Sequence, residues 1–255
     1  MTKDKLILVT NDDGLDSLGI VSLVESMSDL GEVVVVAPNE PQSGMSQAIT
    51  VKHPLRVKQA QLNGSKCYSV NGTPTDCVKL AFNQLLPRKP DLLVSGINHG
   101  SNSSTSVLYS GTLGAALEGC VNGVPSIGFS IISYDPKADF STAKKFAAKI
   151  ATKVLQEGLP LHTCLNINIP DVTEEQIKGV RICRQTMGFW QEEFDRRNDP
   201  MGHEYYWLTG EYFNTEPEAA DTDEWALKNN YISVVPLKTD LTSYSTIDLI
   251  KKWDL

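Results

Sequence analysis

Apolar residues fall along this chain in short bursts, and the bursts alternate between two periods. Residues 5–10, 32–37, 91–97, 125–130 and 164–169 hold short apolar runs without helical spacing, most of them ending in Asn, Pro or Ser. Runs of that kind read as strands buried on both faces. Between them the period changes. Ile20, Leu23, Val24, Met27 and Leu30 share one helix face over 19–30, with Gly31 as the stop. Phe146, Ile150, Val154 and Leu155 do the same over 140–156. Thr73 as cap and Pro74 in the first turn predict a helix over 75–86, and small residues predict another over 113–121. A strand, a helix and a second strand by residue 37 form a βαβ unit. The expected fold class is therefore α/β, with a mostly parallel sheet flanked by helices.

Other stretches break this rhythm. Residues 49–57 and 66–70 predict short strands of an antiparallel excursion, with Asn63-Gly64 as a turn between them. Residues 180–184 predict a strand, 221–230 a helix, 231–236 a strand and 244–253 a terminal helix. From 188 to 223, Phe189, Trp190, Phe194, Tyr205, Tyr206, Trp207, Tyr212 and Phe213 alternate with charges, as in exposed hairpins. One hairpin cannot cover its own apolar faces. We expect one domain over 1–255, with a core of 1–186 plus 231–240. An arm of 187–222 and the terminal helix 243–255 would pack on another subunit, or form a satellite cluster on the same chain.

Composition narrows the partners. The chain has 255 residues and a formal charge of −8, which leaves no broad basic face for a nucleic-acid backbone. Its five cysteines are widely spaced and odd in number, which suits a reducing compartment. No run is long enough to span a bilayer and the start lacks a signal peptide, so we expect a cytoplasmic protein without a membrane partner.

The candidate chemistry lies where three strands empty into polar loops. The first loop carries Asp12 and Asp13, the second Ser43, and the third, residues 98–112, carries Asn98 and Asn102. In open α/β sheets ligands bind at such edges. Two adjacent carboxylates repel by roughly 4 kcal/mol at about 4 Å and an effective dielectric near 20, and a cation reverses that sign. Two carboxylates, a hydroxyl and an amide oxygen suit one hard divalent ion, Mg²⁺ or Mn²⁺, better than zinc. The helix expected after Ser110-Gly111-Thr112 offers free N–H groups to an anion, beside Asn102. Together these point to phosphoryl chemistry. Taken alone, residues 11–14 read equally as an ordinary turn capping the next helix, and Ser110 or Thr112 as a plain cap. His99 reads as a proton-transfer group or a solvated side chain. There is no GxGxxG after the first strand, no GxxxxGK[ST] and no GxSxG.

The ordered segments TNDDG, PNEPQSG, NGTPTDC, SGINHGSN, YSGTLGAALEG and GVPSIGFS, between residues 10 and 130, resemble the SurE family of stationary-phase survival proteins. LNINIP and VVPLKTDLTSY continue the likeness more loosely. The resemblance implies a Rossmann-like core and a 5'-nucleotidase, a metal-dependent phosphatase. Its substrates would be nucleoside 5'-monophosphates, with 3'-monophosphates or short polyphosphate in some members. By motif position it implies Asp12, Asp13, Ser43 and Asn98 as metal ligands, with Asp12 and Asp13 at the catalytic centre. Asn102, Ser110, Gly111 and Thr112 match the phosphate side. It also implies a homodimer or homotetramer with exchanged carboxyl-terminal elements. A nucleotide- or metal-binding sensor without turnover and a transferase on a similar scaffold remain the alternatives.

Overall fold

Leu6 and Leu8 face one side of a strand while Ile7 and Val9 face the other, and all four are buried. That double burial sets the middle of the fold. The computed structural model of the chain describes residues 4–254. In chain order it contains β1 (Leu6–Thr10), α1 (Leu18–Met27), β2 (Glu32–Pro38), β3 (Val57–Leu62), β4 (Ser65–Val70), α2 (Pro74–Leu80) and β5 (Leu92–His99). Then come α3 (Gly111–Val121), β6 (Ser126–Ile131), α4 (Ser141–Glu157), β7 (Thr163–Ile169), β8 (Gly179–Ile182), β9 (Gly188–Asn198), β10 (Glu204–Asn214), α5 (Asp223–Lys228), β11 (Tyr231–Lys238) and α6 (Tyr244–Ile250).

Nine strands form one sheet in the order β3-β4-β2-β1-β5-β6-β7-β11-β8, and β9 pairs with β10 alone. The β3–β4 and β7–β11 pairs are antiparallel and the remaining pairs of the large sheet are parallel. The expected α/β architecture is therefore present. α1 and α4 cover one face through Ile20, Leu23, Met27, Ala143, Ala147 and Val154. On the other face Cys77, Val78 and Ala81 of the α2 segment and Ala115 of α3 pack with Leu6, Leu8 and Leu93. Each fully buried Leu or Ile contributes about 1.5–3 kcal/mol, so these two layers carry the fold.

Several elements depart from expectation. Residues 49–56 form no strand; the antiparallel partner of β4 is β3, at residues 57–62. β3 reads VKQAQL and is largely exposed, so an edge strand carries no apolar signal. Pro54 interrupts the more apolar 49–57 stretch, and Thr50 N–H is tied instead to the Asp76 carboxylate at 3.0 Å. The helix expected over 75–86 is α2 followed by a π turn at Ala81–Leu85. The arm is one hairpin of two eleven-residue strands. Phe189, Phe194, Trp207, Leu208 and Phe213 stay more than half exposed on it, and every residue of α6 is exposed.

The central layers meet through a glycine. A Cβ on Gly19 would lie 1.9 Å from the Ile97 carbonyl oxygen, so α1 can rest on β5 only without a side chain there. Gly19→Ala should lower the urea unfolding free energy by about 1–3 kcal/mol, the usual cost of forced overpacking, read from the unfolding midpoint.

Candidate active site

Chain order reverses at β1, because β2 lies on one side of it and β5 on the other. The crevice outside the carboxyl ends of such neighbours is a natural ligand site. Asn11 fixes the first loop there: its Nδ2 donates to the Gly14 carbonyl at 2.8 Å and to Ser17 Oγ at 3.0 Å. Ser17 in turn caps α1. Asp12 is only 4% exposed. The Thr112 hydroxyl donates to Asp12 Oδ1 at 2.5 Å. Helix α3 can start against Asp12 because residue 111 is glycine; a Cβ there would sit 2.8 Å from Asp12 Cβ. The second loop is drawn in by the Gln42 N–H, which donates to the Asp12 carbonyl at 2.7 Å and brings Ser43 alongside.

The third loop leaves β5 after a register shift between Ser95 and Asn98. Such irregularities re-aim side chains at the ends of strands. Asn98 Nδ2 donates to the His99 and Gly100 carbonyls at 3.0 and 2.8 Å. Its donors are thereby engaged, and its amide oxygen remains for a ligand. The His99 N–H donates to Asp13 Oδ2 at 3.3 Å. Burial raises the Asp12 carboxyl to about 6 against the Thr112 hydrogen bond, and the neighbouring Asp13 adds to the rise. Burial also raises the Asp13 carboxyl, opposed by the His99 N–H.

A cavity of about 530 Å³ opens at this edge. Asp12, Ser43, Asn98, Asn102 and Ser110 give it polar lining, while Tyr109, Tyr134, Trp190 and Leu208 give apolar lining. Asp13, Gly111 and Thr112 stand beside it without lining it. Thr112 is fully buried, and its hydroxyl orients Asp12. Ser110 Oγ accepts the Leu113 N–H, the ordinary N-cap bond, and the first-turn N–H groups of α3 lack partners inside the helix. Among the described residues lining the cavity there is no lysine or arginine.

Two groups of supporting residues were not legible as such in the sequence. Asn166 and Asn168 are buried on one face of β7. Asn168 Oδ1 accepts the Asn102 N–H at 2.8 Å, Asn166 Nδ2 donates to the Asn102 carbonyl at 2.8 Å, and Asn102 Nδ2 donates to Ser130 Oγ at 2.9 Å. The signal is present, since two asparagines two apart in an apolar strand share a face. The second group is Asp223, fully buried, which accepts the Ser104 and Thr186 N–H groups, each at 2.9 Å. No local pattern marks it, because its partners are far away in sequence.

A sequence profile described as Survival protein SurE matches residues 7–192. The chain belongs to the SurE family. It is 53% identical to the 5'-nucleotidase SurE of Flavobacterium psychrophilum over 252 residues, 98% of each chain. It is 52% identical to the 5'-nucleotidase SurE of Christiangramia forsetii over 256 residues, covering 99% of this chain and 98% of that one. The crystal structure of the SurE protein from Aquifex aeolicus superposes with a TM-score of 0.84 at 40% identity, covering 96% of this chain and 98% of that one. The Rossmann-like α/β core expected of a SurE chain is the fold described above.

The raised Asp12 carboxyl sets a pH dependence for this SurE chain. The folded chain holds that proton more tightly than the unfolded chain, whose carboxyl ionises near 3.8. The contribution of this group to stability is therefore fully present below that value and is lost as pH rises towards 6. With chelator present, Asp12→Asn should raise the unfolding free energy at pH 7.5 by about 1–3 kcal/mol, and the gain should vanish towards pH 4. Urea titrations at the two pH values measure it.

Proposed function

We propose that this chain is a 5'-nucleotidase that hydrolyses nucleoside 5'-monophosphates with the help of one divalent cation, Mg²⁺ or Mn²⁺. Support for the nucleotidase activity comes from full-length relatives that carry that name. The observation that supports the metal is the lining of the cavity. A phosphate monoester would enter beside the buried Asp12 carboxylate with no lysine or arginine among the described lining residues. Among the described residues no three His, Cys, Asp or Glu side chains cluster as a metal site. Neutral oxygens must therefore complete any shell around the two carboxylates. Asp12, Asp13, Ser43 and Asn98 fit that requirement: two acids, a hydroxyl and an amide oxygen whose own donors are engaged elsewhere. A cation held by them would supply charge to polarise a phosphoryl oxygen and to acidify a water.

The chain's own groups would do the rest. Thr112 and the Gln42 N–H keep Asp12 in place, and the His99 N–H does so for Asp13. Asn102 and Ser110 face the cavity as donors, and the amino end of α3 at Gly111 and Thr112, beside the cavity, adds partial positive charge. These donors would hold phosphoryl oxygens where negative charge grows in the transition state. Turnover of 3'-monophosphates or short polyphosphate would use the same donors.

We also assign the exposed hairpin and α6 to contacts between copies in a homodimer or homotetramer with exchanged carboxyl-terminal elements. The uncovered side chains that do not line the cavity, among them Phe189, Trp207 and Phe213 on the hairpin and Leu249 on α6, support that. A cytoplasmic location is in keeping with five free, buried cysteines. No described helix is long and apolar enough to cross a membrane.

Phosphate release from a panel of nucleoside monophosphates should require Mn²⁺ or Mg²⁺ and stop with chelator. Asp13→Ala should lower kcat at least a hundredfold with an unchanged circular dichroism spectrum. Saturable nucleotide binding without phosphate release would make the protein a sensor instead.

A further inference from the structure

Two of the four large apolar side chains lining the cavity come from the hairpin, which the core grips at few points. Trp190 of β9 and Leu208, Thr209 and Gly210 of β10 reach the cavity. Trp190 is 41% exposed and Leu208 64% exposed, so both keep apolar surface open to a ligand. A two-stranded hairpin is barely stable by itself. Its base is held by Arg184, which pairs with both oxygens of Glu216 at 2.6 and 2.8 Å. Nearer the cavity the tie is Tyr212. Its hydroxyl lies 2.5 Å from Ser104 Oγ, on the loop that also carries Asn102.

The direction of that bond is fixed. Ser104 has one hydroxyl proton, and it goes to the Thr186 carbonyl at 2.9 Å. Tyr212 must therefore be the donor. Ser104 is itself held in a left-handed conformation, φ +51°, by the Asp223 carboxylate on its N–H. Tyr212 is the cross-strand partner of Trp190, and the two rings meet edge to face with centroids 6.0 Å apart. Residue 188 leaves room for this: a Cβ on Gly188 would lie 2.0 Å from Tyr212 Oη and 2.5 Å from Cζ.

We propose that Tyr212 is a positioning residue: its hydroxyl latches the hairpin to Ser104 and so holds Trp190 and Leu208 as the wall on which the base of a nucleoside monophosphate packs. The inference rests on the phosphatase reading above and adds what selects the nucleoside. Such a substrate has one charged end and one flat apolar end. The cavity has the matching division, with oxygens and N–H groups towards Asp12 and an indole and an isobutyl group on the hairpin. Stacking on an indole accepts any base, so the wall favours a base over none rather than one base over another.

The test compares AMP with ribose 5-phosphate, which keeps the phosphate and sugar and lacks the base, using the full-length chain with Mn²⁺. Wild type should show a kcat/KM at least tenfold higher for AMP. Tyr212→Phe keeps the ring and removes the donor. It should raise KM for AMP at least fivefold, leave kcat within twofold, and leave ribose 5-phosphate kinetics within twofold. Gly188→Ala, which displaces the ring, should give a larger loss of the same kind, and thermal midpoints report whether each variant is folded. Equal losses on both substrates, unchanged AMP kinetics in folded variants, or a wild type indifferent to the base would overturn the proposal. A wild type inert towards both substrates would overturn the phosphatase reading itself.

Discussion

Two acidic side chains next to each other at the end of a buried strand repel, and burial limits how far water can relieve them. Asp12 is almost wholly enclosed and Asp13 half so, and burial pushes both carboxyls upward. The surroundings answer with single donors rather than with a basic side chain: a hydroxyl on Asp12 and a backbone N–H on Asp13. The two donors flank the loop after β5: the N–H of His99 at the strand's end and the hydroxyl of Thr112 in the first turn of α3. The close approach of α3 needs Gly111, and the seating of α1 on β5 needs Gly19. The corner is thus fixed by how near three backbones can come, and the sheet order that brings β2, β1 and β5 together serves that corner.

What could be read from the residues followed burial. Strands covered on both faces, such as VVVV in β2, announce themselves because most of their positions are apolar on both sides. β3 did not, because an edge strand in solvent carries Lys and Gln as freely as a loop does. Asp12, Asp13, Ser43 and Asn98 could be grouped because each follows a legible strand. Asn166 and Asn168 have a visible spacing, but in a mostly apolar strand nothing local ties them to Asn102, 64 and 66 residues away. Tyr212 and Asp223 could not be assigned locally. Their partners lie 108 and 119 residues away, and only the closed fold brings them together.

The molecule combines two kinds of order. The nine-stranded core is held by apolar layers on both faces, where losing one side chain is felt by many neighbours. The hairpin has no such layer within this chain and relies on discrete polar ties at Arg184 and Tyr212. A wall held by a few bonds can be re-aimed by one substitution without disturbing the core. Substrate preference and fold stability can therefore vary almost independently in such an arrangement.

The tie between Ser104 and Asp223 also bears on how the chain is made. Synthesis proceeds from the amino terminus, so β1, β2 and β5 leave the ribosome long before α5. Until residue 223 emerges, the backbone at Ser104 lacks the carboxylate that holds its left-handed turn. A nascent chain can thus pair its central strands and seat Asn102 on Asn166 and Asn168 early, while the turn at Ser104 waits for α5. The last piece of the loop after β5 therefore closes only when α5 has been made.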